Sequence, residues 1–144
     1  MTERYKPYSA VWLVLIKDGK ILLSRRHNTG WMDGHYTLVS GHLEANESLT
    51  QAMVREAVEE AGVIVAPENL KVVHINHRKA SDREYIDVYF TPTKWSGEPR
   101  IMEPHICDAM ELHDLNSLPP NLVPNLKDAL NQIEQKNFYG EFGW

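Results

Sequence analysis

The sequence contains a single cysteine, Cys107, among its 144 residues. An intramolecular disulfide is therefore excluded, and a hydrophobic core must stabilise the chain. Long apolar runs are also missing. The longest, Ala10–Ile16, is far shorter than the roughly 20 residues of a membrane-spanning helix. No apolar segment follows the first charges at the N-terminus, as it would in a signal peptide. These absences predict a cytoplasmic protein with no membrane partner.

Basic residues are too few for a protein that binds nucleic-acid polymers. The chain has 15 Lys and Arg against 20 Asp and Glu, which gives a formal net charge of −5. Phosphate backbones are bound by basic surfaces, so a nucleic-acid polymer is not expected as the main partner. A small phosphate ligand remains compatible, because divalent cations can bridge an acidic protein to an anion. The length predicts one domain over residues 1–144 and leaves open whether the protein is a monomer or a homodimer.

Turn signals and hydrophobic periodicity predict a mixed sheet with helices packed on it. Two apolar runs, Ser9–Lys17 and Lys20–Arg26, flank Asp18-Gly19, which is the strongest short hairpin signal. Further strands are predicted at Tyr36–Val39, Leu70–Ile75, Tyr85–Tyr89 and Ala109–His113, and helices at Ser48–Ala61 and Asn125–Gln135. The alternation in Tyr85–Tyr89 is uneven and does not say which face is buried. Loops are predicted at His27–His35, Ser40–Glu47 and Thr91–His105, and the tail Asn137–Trp144 has no assignment.

The helix at Ser48–Ala61 carries an unusual number of carboxylates. Ser48 and Gln51 have capping-box spacing, and Gly62 stands where a C-terminal cap belongs. At about 100° per residue, a broad apolar band is predicted to be buried. That band consists of Met53, Val54, Ala57, Val58 and Ala61, and the neighbouring band consists of Glu56, Glu59 and Glu60. The like-charge pairs among these glutamates destabilise an isolated helix, and a hard divalent cation would remove that penalty.

The segment from Gly41 to Val63 resembles the signature of the Nudix hydrolases. That signature reads Gly, five residues, Glu, seven residues, Arg-Glu-aliphatic, any residue, Glu-Glu, any residue, Gly-aliphatic. The specified positions are filled by Gly41, Glu47, Arg55, Glu56, Ala57, Glu59, Glu60, Gly62 and Val63. Arg25–Glu44 resembles the MutT-type branch, which hydrolyses nucleoside triphosphates. Where the family often has Pro-Gly-Gly, this chain has Val39-Ser40-Gly41, a departure that bears on substrate class more than on chemistry.

The resemblance implies an α/β Nudix fold, with a mixed β-sheet sandwiched between helices in an α/β/α arrangement. It also implies hydrolysis of a nucleotide's phosphoanhydride bond with Mg²⁺ as the cofactor and Mn²⁺ as an alternative. The metal ligands it implies are Glu56, Glu59 and Glu60, with the carbonyl of Ser40 or Gly41 completing the shell. Glu56 could also activate the attacking water, and Arg55 is expected to orient a glutamate by a bidentate bond.

A general base outside the signature is common in the family, and Glu103 is the candidate, with Asp108 and Glu98 as rivals. Arg26 resembles a substrate-phosphate contact of MutT-type enzymes. Asn121 resembles a position that reads the base in some relatives, although a plain turn residue is favoured there. The histidines show no zinc-ligand spacing, and Cys107 is expected to be a small buried residue.

Several functions remain open at this point. The leading prediction is an Mg²⁺-dependent pyrophosphohydrolase that cleaves a nucleoside triphosphate, including oxidised or non-standard ones, to a monophosphate and pyrophosphate. One alternative is hydrolysis of another small nucleotide substrate: ADP-ribose, a nucleotide sugar or a dinucleoside polyphosphate. A second alternative is a non-catalytic sensor that binds a nucleotide, which the intact signature argues against.

Overall fold

A computed structural model describes residues 2–144. The strands are β1 (Tyr8–Leu13), β2 (Ile16–Lys17), β3 (Lys20–Arg26), β4 (Tyr36–Thr37), β5 (Ser40–His42), β6 (Leu70–Lys79), β7 (Glu84–Pro92), β8 (Cys107–Asp114) and β9 (Tyr139–Phe142). The helices are α1 (Leu49–Ala61) and α2 (Pro124–Glu134), and a 3₁₀ turn covers Pro67–Asn69. Neither α1 nor α2 is long and apolar enough to cross a membrane.

The strands form two sheets. The first is mixed, with the order β5-β1-β7-β6-β9, in which β1 runs parallel to β7 and β6 runs parallel to β9. In the second sheet, β3 pairs antiparallel with β2, β4 and β8. The predicted mixed sheet is therefore present, but the strands are divided between two sheets. The apolar N-terminal segment contributes β1 to the first sheet and β2 to the second.

The N-terminal hairpin is shorter than predicted. Asp18 and Gly19 both have positive φ, 52° and 74°, as the tight turn between β2 and β3 requires. However, β1 pairs with β5 and β7 in the other sheet, so the run Ser9–Lys17 is two strands and not one. The apolar run is continuous because the chain stays buried while it crosses from one sheet to the other.

The uneven alternation of Tyr85–Tyr89 has a simple cause. Strand β7 lies in the centre of the first sheet, between β1 and β6, so both of its faces are buried. Asp87 on this strand is fully buried, and it accepts hydrogen bonds from the Trp12 indole at 3.0 Å and from the Arg78 guanidinium at 2.6 Å. The central strand β7 therefore carries a buried carboxylate, and its hydrogen-bond donors are side chains of the neighbouring strands β1 and β6.

A helix covers each side of the first sheet, and two clusters of buried side chains lie beneath them. The cluster under α1 includes Val11, Leu13, Leu15, Val39, Met53, Val63, Val88 and Phe90. The cluster under α2 includes Trp12, Val14, Ile21, Leu23, Leu38, Tyr89, Val123 and Leu126. The predicted α/β/α arrangement is confirmed.

Two segments differ from the sequence prediction. Ser40–His42, predicted as the start of a loop, pairs with β1 as an edge strand, and the unassigned tail supplies β9. Thr91–His105 holds only an isolated bridge between Ser96 and Ile64 beyond the end of β7. Strand β5 brings the backbone of Ser40 and Gly41 against α1, which positions the site described next.

Candidate active site

Helix α1 begins and ends where its capping residues predict. The Ser48 hydroxyl accepts a hydrogen bond from Gln51 N at 3.1 Å, and the Gln51 side chain accepts one from Ser48 N at 2.8 Å. Gly62 ends the helix in the left-handed conformation at φ 68°. These local contacts fix the helix in register with the loop that precedes it.

The buried face of α1 is rotated from the predicted one. Ala52, Met53, Ala57 and Ala61 are buried, whereas Val58 is 42% exposed. The prediction of a separate acidic band was therefore wrong for two of the three glutamates. On a helical wheel the buried residues centre near Met53, so Glu56 and Glu60 lie within the buried arc of the helix. Of the three glutamates, only Glu59 faces solvent.

The Arg55 guanidinium holds most of the carboxylates of the signature. It donates two hydrogen bonds to Glu47, at 2.8 and 2.9 Å, and one to Glu56 at 2.7 Å. Weaker contacts reach Glu59 at 3.3 Å and the His42 carbonyl at 3.2 Å. This bidentate pairing lowers the pKa of Glu47 to about 2. Arg55 thus ties the loop before α1 to the carboxylates on the helix.

Glu60 lies deeper than the other carboxylates of the helix. Its Oε2 accepts a hydrogen bond from Ser40 N at 3.2 Å. Burial, together with the negative charges of Glu56 and Glu103, raises the pKa of Glu60 to about 8. Burial also raises the pKa of Glu56, although Arg55 opposes that shift. A buried carboxyl pushed toward neutrality by neighbouring carboxylates is a site that would gain from a cation.

The glycine that opens the signature has a steric reason. A Cβ placed on Gly41 would overlap the carboxylate of Glu56. Strand β5 therefore approaches α1 closely at this position, and the backbone around Gly41 comes into direct contact with the carboxylates.

The raised pKa of Glu60 predicts how stability without metal depends on pH. The folded carboxyl binds its proton up to about pH 8, whereas the unfolded one loses it near its ordinary value of about 4.3. In chelator, the free energy of unfolding of wild type relative to Glu60→Gln should fall as pH rises between these values, by at most about 1.4 kcal/mol per pH unit. Urea unfolding at pH 5.5 and pH 8 measures this, and parallel pH dependence in both proteins would contradict it.

A cavity of about 130 Å³ lies beside Glu60. Glu60, Glu103, Arg26, Ser40 and Cys107 are among the residues that line it. Cys107, expected to be buried, is half-buried and faces this cavity, which could not be predicted because a lone thiol carries no spacing signal. The cavity therefore brings together Glu103 from the loop before β8, Glu60 from α1 and the Arg26 guanidinium at the end of β3.

The three candidate bases are in different surroundings. Glu103 lines the cavity and contributes its charge to both Glu56 and Glu60. Asp108 is paired with Arg25 at 2.7 Å, which lowers the pKa of Asp108. Glu98 lines a separate surface depression with Lys17 and Lys94. Of the three, only Glu103 is brought to the carboxylates of the helix.

Arg26 and Asn121 both contact the loop of residues 27–35. Arg26 donates to the Trp31 carbonyl at 2.7 Å and to the Thr29 hydroxyl at 2.9 Å, and it also lines the cavity. The Asn121 amide donates to the Gly34 carbonyl at 2.8 Å. The Asn121 side chain therefore contacts this distant loop through its N–H, a contact that the sequence did not predict, and Arg26 has a second role beyond facing the cavity.

The donor set suits a hard divalent cation, because carboxylate and carbonyl oxygens are the ligands that Mg²⁺ prefers. Among residues 2–144, no three acidic, histidine or cysteine side chains are already arranged around one metal position. Instead Arg55 supplies the positive charge to Glu56 and Glu59, and Ser40 N supplies a donor to Glu60. The chemistry of the residues fits a cation, and Glu59, whose side chain is 53% exposed, is free to turn toward it.

Comparison with known proteins gives a consistent result. A model of the NUDIX domain matches residues 6–133. An ADP-ribose pyrophosphatase from Methanocaldococcus jannaschii is 32% identical over 131 residues, which is 91% of this chain and 76% of that protein. The NAD-capped RNA hydrolase NudC of Escherichia coli is 37% identical over 73 residues, and the chain spans only 27% of its length.

Solved structures have the same architecture. A MutT NUDIX hydrolase from Burkholderia pseudomallei superposes with a TM-score of 0.81 at 25% identity, covering 89% of this chain and 98% of that one. A MutT protein from Methanosarcina mazei has a TM-score of 0.77 at 18% identity, covering 94% and 99% of the two chains. The second likeness, at such low identity, shows the fold alone.

Proposed function

This chain belongs to the NUDIX family and is a Nudix hydrolase, and from that premise we propose that it cleaves a nucleoside triphosphate to a monophosphate and pyrophosphate. One observation carries the proposal: the buried Glu60 faces a cavity together with Glu103 and Arg26. Acidic groups suit a cation and Arg26 suits a phosphate, so the cavity has partners for both halves of a metal–nucleotide complex. The likeness to a MutT NUDIX hydrolase over 89% of this chain agrees with the MutT-type resemblance of the sequence, from which the proposed substrate class comes.

Nudix hydrolases generally use a divalent metal, and we propose Mg²⁺, with Mn²⁺ as an alternative. Glu56, Glu59 and Glu60 would hold it, with a carbonyl of Ser40 or Gly41 as a further oxygen ligand. When bound, such an ion neutralises phosphate oxygens and lowers the pKa of water. Arg55 keeps Glu56 oriented through its bond of 2.7 Å, and its positive charge opposes the rise in the pKa of Glu56 that burial causes.

The remaining roles follow from the cavity. Glu103 accepts a proton from the attacking water, since its loop brings it to the cavity with Glu60 and it forms no ion pair among residues 2–144. Arg26 binds the substrate phosphates, because its Nε and Nη2 atoms donate to the loop and its Nη1 atom forms no hydrogen bond with the described residues. Water activation and phosphate binding therefore fall on two different elements that meet at the cavity.

A second substrate class has its own support. The relative from Methanocaldococcus jannaschii is named for ADP-ribose, and the alignment covers most of both chains. ADP-ribose also contains a phosphoanhydride bond, which joins the phosphate on adenosine to the phosphate on the second ribose. The same carboxylates would serve its hydrolysis. A nucleotide sugar, a dinucleoside polyphosphate or the NAD cap named for NudC would require the same chemistry with a larger group beyond the bond.

One panel of substrates separates these possibilities. Purified protein is incubated with Mg²⁺ and with each of the nucleoside triphosphates, 8-oxo-dGTP, ADP-ribose and diadenosine tetraphosphate, and the phosphate products are identified. We expect a nucleoside triphosphate to give monophosphate and pyrophosphate, and chelator to abolish the reaction. Release of AMP and ribose 5-phosphate as the dominant reaction would favour ADP-ribose, and binding without turnover of any nucleotide would identify a sensor.

A further inference from the structure

The loop of residues 27–35 carries an exposed indole, Trp31, and several hydrogen bonds connect the parts of this loop. The backbone closes at its base through Arg26 N to the His35 carbonyl at 3.0 Å and Gly34 N to the Arg26 carbonyl at 2.8 Å. Inside the loop, Asp33 accepts hydrogen bonds from Thr29 N and Gly30 N, both at 3.0 Å. The polar groups that shape the loop are thus satisfied by one another.

Trp31 stands at the tip of this loop. It is 47% exposed, while the neighbouring Met32 packs against the cluster under α2. The Arg26 guanidinium lies over the Trp31 ring, 4.8 Å from its centroid, and also donates to the Trp31 carbonyl. The Arg26 guanidinium therefore packs on the indole, while nearly half of Trp31 remains exposed to solvent.

The position of Arg26 joins this indole to the site. Arg26 and Thr29 both line the cavity that contains Glu60 and Glu103. A nucleotide whose phosphates lie against Arg26 would have its nucleoside within a few ångströms of the loop that carries Trp31. Every nucleobase has a flat π-face that stacks on aromatic rings, and such stacking tolerates different bases.

Resting on the function proposed above, we propose that Trp31 forms the nucleobase-binding surface and that the substrate base stacks on the indole held by Arg26. This assigns the phosphates to Arg26 at the end of β3 and the base to Trp31 in the loop that follows, two residues that are in direct contact. The ligand class is then a phosphorylated nucleoside, and the stacking contact gives it affinity with little selectivity among bases. Selectivity would have to come from groups that meet the edges of the base.

The experiment compares wild type with Trp31→Ala, Trp31→Phe and Trp144→Ala, all with Mg²⁺. Trp144 is the matched control because it is 62% exposed and packs on His77, where β9 meets β6. The KM of Trp31→Ala for the nucleoside triphosphate should rise about tenfold or more, with kcat within about twofold, because the lost contact is a stacking one. Trp31→Phe should keep most of the affinity, and Trp144→Ala should match wild type.

Inorganic tripolyphosphate, used as a competitive inhibitor, separates stacking from an indirect effect through Arg26. Its inhibition constant should be the same for wild type and Trp31→Ala, because it has phosphates and no base. Equal weakening of tripolyphosphate and nucleotide would overturn the proposal, since Trp31 would then only position Arg26. An unchanged nucleotide KM in Trp31→Ala would also overturn it.

Failure of the proposed function would appear differently. If wild type hydrolyses no nucleotide in the panel, the stacking surface is tested by nucleotide quenching of tryptophan fluorescence. Quenching in wild type and in Trp144→Ala, lost in Trp31→Phe, would support the surface in the absence of catalysis. Equal quenching in all three proteins would overturn it.

Discussion

Replacing Glu60 by Gln should reduce kcat about a thousandfold or more, because metal ions supply several kcal/mol of transition-state stabilisation. Glu60 lies deeper than the other carboxylates, and it faces the cavity with Arg26 and Glu103. A carboxamide keeps an oxygen ligand but removes the negative charge, which weakens the binding of a divalent cation. The measurement is steady-state turnover of the best substrate of the panel across a Mg²⁺ titration.

The fold of this variant should remain intact. Glutamine has nearly the same volume, and its carbonyl oxygen can still accept the hydrogen bond from Ser40 N. Because burial disfavours a charged carboxylate here, the melting temperature of Glu60→Gln in chelator should equal or exceed that of wild type. Glu68→Gln, an exposed change in the 3₁₀ turn, is the control. Near-normal turnover of Glu60→Gln at saturating Mg²⁺ would remove Glu60 from the metal site.

Replacing Glu103 by Gln should lower kcat at least tenfold, since general-base catalysis contributes about 10²–10⁴ in rate. Glu103 lies on the loop before β8, and its charge is felt by both Glu56 and Glu60. KM and the Mg²⁺ concentration for half-maximal rate should change little, because a proton acceptor acts in the chemical step. The separate measurement of kcat, KM and metal dependence therefore distinguishes this role from that of a metal ligand.

Two matched variants give the comparison. Glu98→Gln changes an acid of the same loop that lies in a different depression, and its kcat should match wild type. Asp108→Asn breaks the ion pair with Arg25 and should act mainly through that local contact. A loss below about twofold for Glu103→Gln, far under the usual contribution of a general base, would move the base to Asp108, to Glu98 or into the carboxylates of the helix.

Much of helix α1 could be predicted because its determinants are close in sequence. Ser48, Gln51 and Gly62 specify its ends through contacts that span one turn, and the structure has all of them. The contact of Arg55 with Glu47 spans only eight residues and depends on the helix and its preceding loop. The spacing of the signature was therefore sufficient to predict both the family and the clustering of the carboxylates.

The face on which the glutamates lie could not be read from the helix alone. Ala52, Ala57 and Ala61 are only weakly hydrophobic. Val54 and Val58 are more hydrophobic, and they shifted the centre of the predicted apolar band toward their own side of the helix. The structure buries these alanines within the apolar cluster under α1, while β5 approaches the helix at Gly41, where a Cβ would overlap Glu56. Packing against the sheet therefore decided the orientation of the helix.

The sequence by itself determined the family, the α/β layers and the helix with its carboxylates, because these depend on periodicity and on spacings within a few turns. Only the tertiary structure decided that β1 and β2 belong to different sheets, that Asp108 is neutralised by Arg25 from 83 residues away, and that Glu103 meets Glu60 across a cavity. These outcomes depend on which distant segments pair. In the sequence, Glu98, Glu103 and Asp108 cannot be told apart as loop acids, and only the folded sheets bring one of them, Glu103, to the helix.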